Sequence, residues 1–332
     1  MKSIIDKIKD DVVDIKNKNF EYISTNCVPS RHDSALTFES GVDKRGKIIE
    51  TCVLYVDIRD SVKLNDQHHT QTMGRIYSVF SKAMLKLARH HQGSVRNIIG
   101  DRVMVVFPSN KCFENAVKCA ISINHVAKYI INSAFANVNF RCGIGIDYGE
   151  LKVVKVGLHR QGHEGFENKN LVWVGHPANI ASRLTDKANK TINTTRVKVT
   201  YYPFNIFPYS SPLPLIKLFA PSTPGSISEQ PQKTYQDSPM TSLLSLEDFA
   251  KSVSFNHQSG ISYSKGKLVK FEKIEGIIGL PPILMTPSVH NGFKSACPKD
   301  KSITDNYWKE ISNHNISDVQ SNVYGGNVRW KI

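Results

Sequence analysis

The sequence predicts an α+β fold in which helices cover one face of an antiparallel-rich sheet. Three observations carry that prediction. Between residues 51 and 202, apolar spacing of period two alternates with spacing near 3.6, in the order strand, helix, strand, strand, helix, strand. The two middle strands, SVRNII (94–99) and RVMVVF (102–107), are joined tightly through Gly100 and Asp101, which makes them an antiparallel hairpin. Further short strands follow that core. The βαββαβ order with β additions is the ferredoxin-like kind of α+β layer.

Residues 2–22 place Ile4, Ile5, Ile8, Val12, Ile15 and Phe20 at mostly three- and four-residue steps, so an amphipathic helix is expected there. Residues 28–48 are polar and turn-rich, a connector. TCVLYVDI (51–58) is the first core strand, and residues 63–90 form a helix with Met73, Ile76, Tyr77, Phe80, Met84 and Leu87 on one face. A second helix covers 113–133, with Ala116, Cys119, Ile123, Val126 and Ile130 in a stripe. VNFRCGIGID and LKVVKVG then read as another strand pair, followed by LVWV, a helix over 177–189 and the strand RVKVTYY. In VNFRCGIGID, alternation sets Val138, Phe140, Cys142, Ile144 and Ile146 on one face and leaves Gly143 and Gly145 bare on the other, so a ligand or another backbone is expected to approach closely there. From residue 203 onward the chain holds 12 of its 15 prolines, and 203–240 reads as a long loop. A helix over 241–254, strands near 261–285 and a terminal hairpin turning at Gly325 and Gly326 complete the expectation. The domain plan is thus an N-terminal helix and connector (1–49), a core (50–202) and a C-terminal segment (203–332) that completes or extends the same domain.

Composition narrows the function classes. The 332 residues carry 43 Lys and Arg against 29 Asp and Glu, a net charge of +14, and most of the excess lies in residues 51–190, with 19 basic against 10 acidic side chains. No run of five or six adjacent basic residues occurs, so a bound anionic small molecule is expected rather than a basic tail. An RNA-binding sheet would need exposed aromatics of the K/R-G-F/Y-G/A-F-V-x-F/Y type, and none is present, so no nucleic-acid partner is expected. The longest apolar run, IIGLPPILM (277–285), is far below the roughly 18–20 residues of a membrane span, and the N-terminus lacks the apolar centre of a signal peptide. The six cysteines show no metal-ligand spacing and read as mostly buried reduced thiols, so the expected location is cytoplasmic with no membrane contact.

Chemistry concentrates at three places. Asp57 ends an apolar strand and is followed by IRDSVK, a polar turn into a helix, where a carboxylate beside free backbone N–H groups can bind a divalent cation and the phosphates it neutralises. Asp101 sits in the tight hairpin, which the sheet places next to the end of the Asp57 strand. Each alone reads as ordinary turn chemistry; together they form a site for two Mg²⁺ or Mn²⁺ ions, the arrangement used for in-line phosphoryl displacement. In WVGHPANIASRL, Asn179 and Arg183 stand four apart on one helical face and can hydrogen-bond phosphoryl oxygens as charge builds on them.

The ordered set VDIRDS, NIIGDRVMVVF, RCGIGIDYGEL and WVGHPANIASRL resembles the catalytic core of the class III nucleotidyl cyclases, over roughly residues 50–200. The resemblance implies a homodimer with active sites at the interface. One subunit would offer Asp57, the Ile58 position and Asp101 to two divalent metal ions, and the other Asn179 to the ribose and Arg183 to the transition-state charge. Arg59, Asp60 and Ser61, in the turn after Asp57, would contact the nucleoside triphosphate. Purine-specific members read their base with Lys or Glu four residues before the second metal Asp, and with Asp or Cys three before the Gly of the last motif. Those positions here hold Asn97 and Val172, and Tyr55, two before Asp57, stands near the base. Asn can donate and accept at a pyrimidine edge, whereas Val removes a purine partner. The variant wording is similar to the pyrimidine cyclases of the bacterial anti-phage systems called Pycsar, which implies conversion of CTP or UTP to cyclic CMP or cyclic UMP and a separate effector that reads the product. Asn97 accepting from the cytosine amino group favours CTP. A purine cyclase, and a domain that binds nucleotide without turnover, are the alternatives. Lys265 and Lys267 in YSKGKL are candidates for gripping the triphosphate, against a plain solvated turn.

Overall fold

A computed structural model describes residues 1–135, 137–157, 169–205, 234–256, 260–312, 314, 316–319 and 321–331. The chain enters through α1 (Lys2–Asn17), whose apolar stripe stays exposed. The helical period to residue 22 overshoots: FEYIS, rich in aromatic and branched residues, instead forms β1 (Phe20–Ser24), parallel to the start of β2 (Lys44–Ile58). The helix expected over 63–90 divides into α2 (Ser61–Gln67) and α3 (Thr70–His90), because His68 and His69 are both extended. β3 (Ser94–Ile99) and β4 (Arg102–Val106) form the expected hairpin, with Gly100 at φ +60° in the two-residue loop. α4 (Cys112–Val126) runs through one π-type turn into α5 (Asn132–Ala134).

β5 (Cys142–Gly157) is one unbroken strand where two were expected, because DYGE stays extended and pairs along β2, from Val53↔Asp147 to Glu50↔Glu150. β6 (Lys169–Val174), α6 (His176–Lys187) and β7 (Thr191–Pro203) follow. Next come β8 (Met240–Ser245), α7 (Leu246–Ser252), β9 (Val253–Asn256), β10 (Gly260–Tyr263) and β11 (Gly266–Gly279). The helix expected over 241–254 shrinks to α7, whose Ser245 cap accepts from the Asp248 amide at 2.8 Å. β12 (Ile283–Met285), α8 (Pro287–Ala296), α9 (Lys301–Thr304), β13 (Lys309–Ile311) and β14 (Val323–Gly326) close the chain. The expected terminal hairpin turn at Gly325 and Gly326 is itself the strand β14, seated between β12 and β13. A Cβ at Gly326 would meet the Trp308 ring, so the glycine answers to close packing rather than to a turn.

One sheet has the order β13-β14-β12-β5-β2-β4-β3, with β1 added to β2 and β6 to β5. It is antiparallel-rich, as expected, with parallel pairs at β1–β2 and β12–β5. Helices α3, α4 and α8 cover one face, packing Met73, Ile76, Phe80, Ile123, Val289 and Phe293 against Leu54, Val56, Ile144 and Ile146. The other face carries α6, whose Ala178 and Ala181 lie on Ile49, Val53, Met104 and Leu151. This unit comprises Met1–Ile192 and Gly279–Ile332; the second, Asn193–Ile278, holds the sheet β8-β7-β11-β10-β9 around Val197, Val199, Tyr201 and Tyr263. The first boundary falls inside β7, and the last 54 residues belong to the first unit, because β12 completes the core sheet beside β5. Of the loop expected over 203–240, residues 206–233 lie outside the described residues.

Candidate active site

The α6 face of the sheet is where the chemistry gathers. Asp57 pairs with Arg102 across β2 and β4, so both side chains leave on that face, and Asp101 is the next residue, at the hairpin tip. Asp57 and Asp101 therefore stand at the same end of neighbouring strands. Asp57 is 9% exposed and lies between two guanidinium groups, Arg102 Nη2 at 2.9 Å and Arg59 Nη1 at 3.6 Å. Arg102 also donates to Ser182 Oγ at 2.9 Å and to the Asp186 carboxylate, tying β4 to α6. Burial opposes the charge on Arg102, yet its bonds to Asp57 and Asp186 hold its pKa above the usual arginine value.

Two glycines let α6 come this close. A Cβ on Gly145 would stand 2.5 Å from the Thr185 amide nitrogen and closer still to the Ala181 carbonyl. At Gly143 it would collide with the Arg59 guanidinium. The approach expected at the bare glycines is thus made by the chain's own helix and by Arg59. The Thr185 hydroxyl donates to the carbonyls of Ala181 and Tyr55, at 2.8 and 3.1 Å, fixing the helix to β2.

Arg59, expected to contact the substrate, is held inside the single chain. It is 3% exposed, donates to the Thr185 carbonyl and is crossed by Gly143, so it pins β2 to α6 from within. Its burial lowers its pKa, against the raising effect of Asp57. The reason is geometric: Asp60 takes a left-handed turn at φ 56°, which sends the chain away after Arg59. Asp60 is exposed and pairs with Arg141 at 2.6 Å, and Ser61 begins α2. Ile58 is buried, paired with Cys142.

Tyr55, Met104 and Asn97 form one row across β2, β4 and β3, on the same face as α6. Tyr55 is half-buried, which pushes its phenol pKa up, against a smaller effect of Arg102. Asn97 is exposed, and lies about 10 Å from Tyr55 by strand spacing. Val172 does not join this row. Trp173 faces the apolar cluster under α6, so alternation along β6 turns Val172 to the opposite side, where it is 43% exposed. Trp173 instead meets Arg96, whose guanidinium lies 5.9 Å from the indole centroid.

On α6, Ser182 and Asp186 reach toward Asp57, while Asn179 and Arg183 occupy the next stripe, roughly 60° further round by helical geometry. Asn179 is exposed. Arg183 pairs with Asp318 at 2.6 Å and donates to the Ser317 carbonyl at 3.4 Å. A single chain thus sets Asp57 and Asp101 at the same end of neighbouring strands, and Asn179 and Arg183 on a stripe of α6 beside the one that meets Arg102. In the second unit Lys265 lies in the turn between β10 and β11, and Lys267 lies at the start of β11.

Sequence reasoning missed Arg102 and Asp186, although Arg102 lies inside NIIGDRVMVVF. Pairing the hairpin with the Asp57 strand would have placed it opposite Asp57. The oxygen donors here are two carboxylates and a backbone carbonyl position, and no cluster of three or more His, Cys, Asp and Glu forms among the described residues. That set suits Mg²⁺ or Mn²⁺, which take one or two carboxylates and leave the remaining positions to water and phosphate. In this chain the Asp57 carboxylate already has a cationic partner in Arg102.

Comparison with known proteins places these residues in context. Residues 44–202 match the adenylate and guanylate cyclase catalytic domain family. A uridylate cyclase of Burkholderia cepacia is 29% identical over 198 residues, covering 58% of this chain and 82% of the relative. A uridylate cyclase of Xanthomonas perforans is 28% identical over 178 residues, 52% of this chain and 72% of that one. Among solved structures, the adenylyl cyclase CyaB from P. aeruginosa aligns with a TM-score of 0.37 at 19% identity, over 42% of this chain and 73% of its own.

Proposed function

We propose, since residues 44–202 match the adenylate and guanylate cyclase catalytic domain family, that this protein converts a pyrimidine nucleoside triphosphate, UTP before CTP, to its 3′,5′-cyclic monophosphate and pyrophosphate. The observation that carries the reading is the row of Tyr55, Met104 and Asn97 beside Asp57, whose own members offer a base an amide and a phenol. Asn97 can meet the N3–H and O4 of uracil by accepting and donating at once, and can meet the N4 amino group and N3 of cytosine with the same two bonds. The uridylate cyclase names of the relatives support UTP over the CTP expected from Asn97 alone.

In the proposed reaction the 3′-oxygen attacks the α-phosphorus, the bond to the β-phosphate oxygen breaks, and pyrophosphate leaves. Two divalent ions held by Asp57, Asp101 and the Ile58 carbonyl would supply Lewis acidity at the attacking and departing oxygens. Arg183 donates to the α-phosphoryl oxygens as negative charge gathers there, and Asn179 orients the ribose. A homodimer with each site drawn from both subunits is the working assembly. The product serves as a second messenger for a separate effector in antiviral defence, in line with the Pycsar resemblance.

The test is incubation of the purified chain with ATP, GTP, CTP and UTP together in Mn²⁺, with cyclic products identified by mass. Cyclic UMP is expected as the main product. Cyclic AMP or cyclic GMP would discard the base-row argument, and no product from any nucleotide would favour binding without turnover.

A further inference from the structure

We propose that Arg102 is the resident cation of the Asp57 carboxylate, and that a divalent ion binds only when this guanidinium leaves Asp57 and rests on Asp186 and Ser182 alone. The inference depends on the reading of Asp57 as a metal ligand, and adds to it a residue that sets how tightly the metal is held.

The geometry carries it. Arg102 Nη2 is shared between two carboxylates, Asp57 at 2.9 Å and Asp186, while Nη1 donates to Ser182 at 2.9 Å. Arg102 can therefore release Asp57 without leaving its other two partners. The release changes no backbone pairing, since Asp57↔Arg102 is a ladder pair fixed by main-chain hydrogen bonds. Exposure orders the two carboxylates: the Asp57 side chain is 13% exposed and the Asp186 side chain 50%, so Asp186 is the solvated resting place and Asp57 the inner one. Arg59, buried and held by the Thr185 carbonyl, keeps its position 3.6 Å from Asp57 in either arrangement. With both arginines on Asp57 the charge of that carboxylate is already compensated, which opposes a second cation. With Arg102 on Asp186, only Arg59 remains.

Two consequences of opposite sign follow. Neutralising Arg102 removes the competitor, so Mn²⁺ should bind more tightly. Neutralising Asp186 removes the place to which Arg102 withdraws, so Mn²⁺ should bind more weakly, and that loss should vanish when Arg102 is neutral as well. A merely structural role for the pair would loosen binding in both single variants.

The experiment is titration of Mn²⁺ alone into the full chain, following loss of the free-ion paramagnetic resonance signal, for the native protein, Arg102→Gln, Arg102→Lys, Asp186→Asn, the Arg102→Gln/Asp186→Asn double variant and Asp57→Asn. Melting curves for each establish folding, and Arg102→Lys, which keeps the charge, gives a second route should Arg102→Gln fail to fold. Arg102→Gln should tighten Mn²⁺ by at least about tenfold, the scale of one unit charge several ångströms from a divalent ion under water-like screening. Arg102→Lys should stay near native affinity, Asp186→Asn should weaken it several-fold, and Asp186→Asn should have no effect in the Arg102→Gln background. Tightening by Arg102→Lys equal to that of Arg102→Gln, or no tightening by a folded Arg102→Gln, overturns the proposal for Arg102 while leaving Asp57 as a ligand. Unchanged Mn²⁺ binding in Asp57→Asn instead removes the metal reading itself, and the proposal with it.

Discussion

Gly145→Ala adds one methyl group on the strand that supports α6, and its consequences follow from distances. The new Cβ would stand 2.5 Å from the Thr185 amide nitrogen and 2.6 Å from its hydroxyl. Ordinary contact needs about 3.4 Å, so the helix must withdraw by about 1 Å, since neither backbone can fold away in a close-packed layer. Overpacking of this kind costs about 1–3 kcal/mol. Gly145 does not have a left-handed φ, so no backbone penalty is added, and the entropy an alanine removes from the unfolded chain returns less than about 1 kcal/mol. The effect on turnover is larger, because Asn179 and Arg183 ride on the displaced helix; a misplacement of about 1 Å lowers the rate on the order of 100-fold. Gly149→Ala is the matched control on the same strand, where the nearest atom, Pro177 Cδ, lies at an ordinary 3.6 Å. Urea unfolding and initial rates of cyclic-nucleotide formation, measured on both variants, check the reasoning. A Gly145→Ala protein as stable and as active as Gly149→Ala would mean that α6 does not rest on this backbone.

Other consequences are open to direct measurement. Mixing Asp101→Asn chains with Arg183→Ala chains, each inactive alone, should restore part of the activity, because a heterodimer rebuilds one complete site; inactivity in a verified heterodimer would argue against shared sites. Asp101 is the cleaner choice for this mixture, since Asp57 also neutralises the buried Arg59. Replacing Asn97 with Lys should move product from the pyrimidine toward the purine nucleotides more than it lowers the total, as read by mass analysis of a four-nucleotide mixture. His91, between α3 and α4, has its pKa lowered to about 4, first by burial and then by His90 and Lys118, while its Nε2 lies 2.9 Å from Ser122 Oγ. The unfolded chain takes up this proton near pH 6.5 and the folded chain refuses it until about 4, so stability present above pH 6.5 drains away as pH falls through that window. Allowing for solvent screening of a half-exposed ring, the loss is about 1–2 kcal/mol, and His91→Gln should flatten the urea-midpoint profile over that range.

Much of the core and the candidate chemistry was legible in local pattern. The hairpin through Gly100 and Asp101, the apolar stripe of α3, the helix α6 with Asn179 and Arg183 on one side, and the close approach at Gly143 and Gly145 each depend on residues near one another in sequence. Period, turn chemistry and the missing Cβ are local properties, and a sequence states them outright. The errors share a different cause. DYGE had the composition of a turn, yet remains extended because β2 supplies a partner along its whole length. Gly325 and Gly326 also resembled a turn, but were needed where Trp308 and Leu284 crowd a strand.

The same division runs through the candidate site. Sequence alone named the side chains proposed to bind metal and phosphate, because carboxylate, amide and guanidinium chemistry travels with the residue. Tertiary structure decided which of them meet. It drew Arg59 inward as a strut beneath α6, turned Val172 away from the Tyr55–Asn97 row, and set Arg102 on Asp57 with Asp186 as its second partner. Strand register and helix azimuth are fixed by contacts between residues tens of positions apart, so the local pattern names the chemical groups and the packed sheet assigns their neighbours.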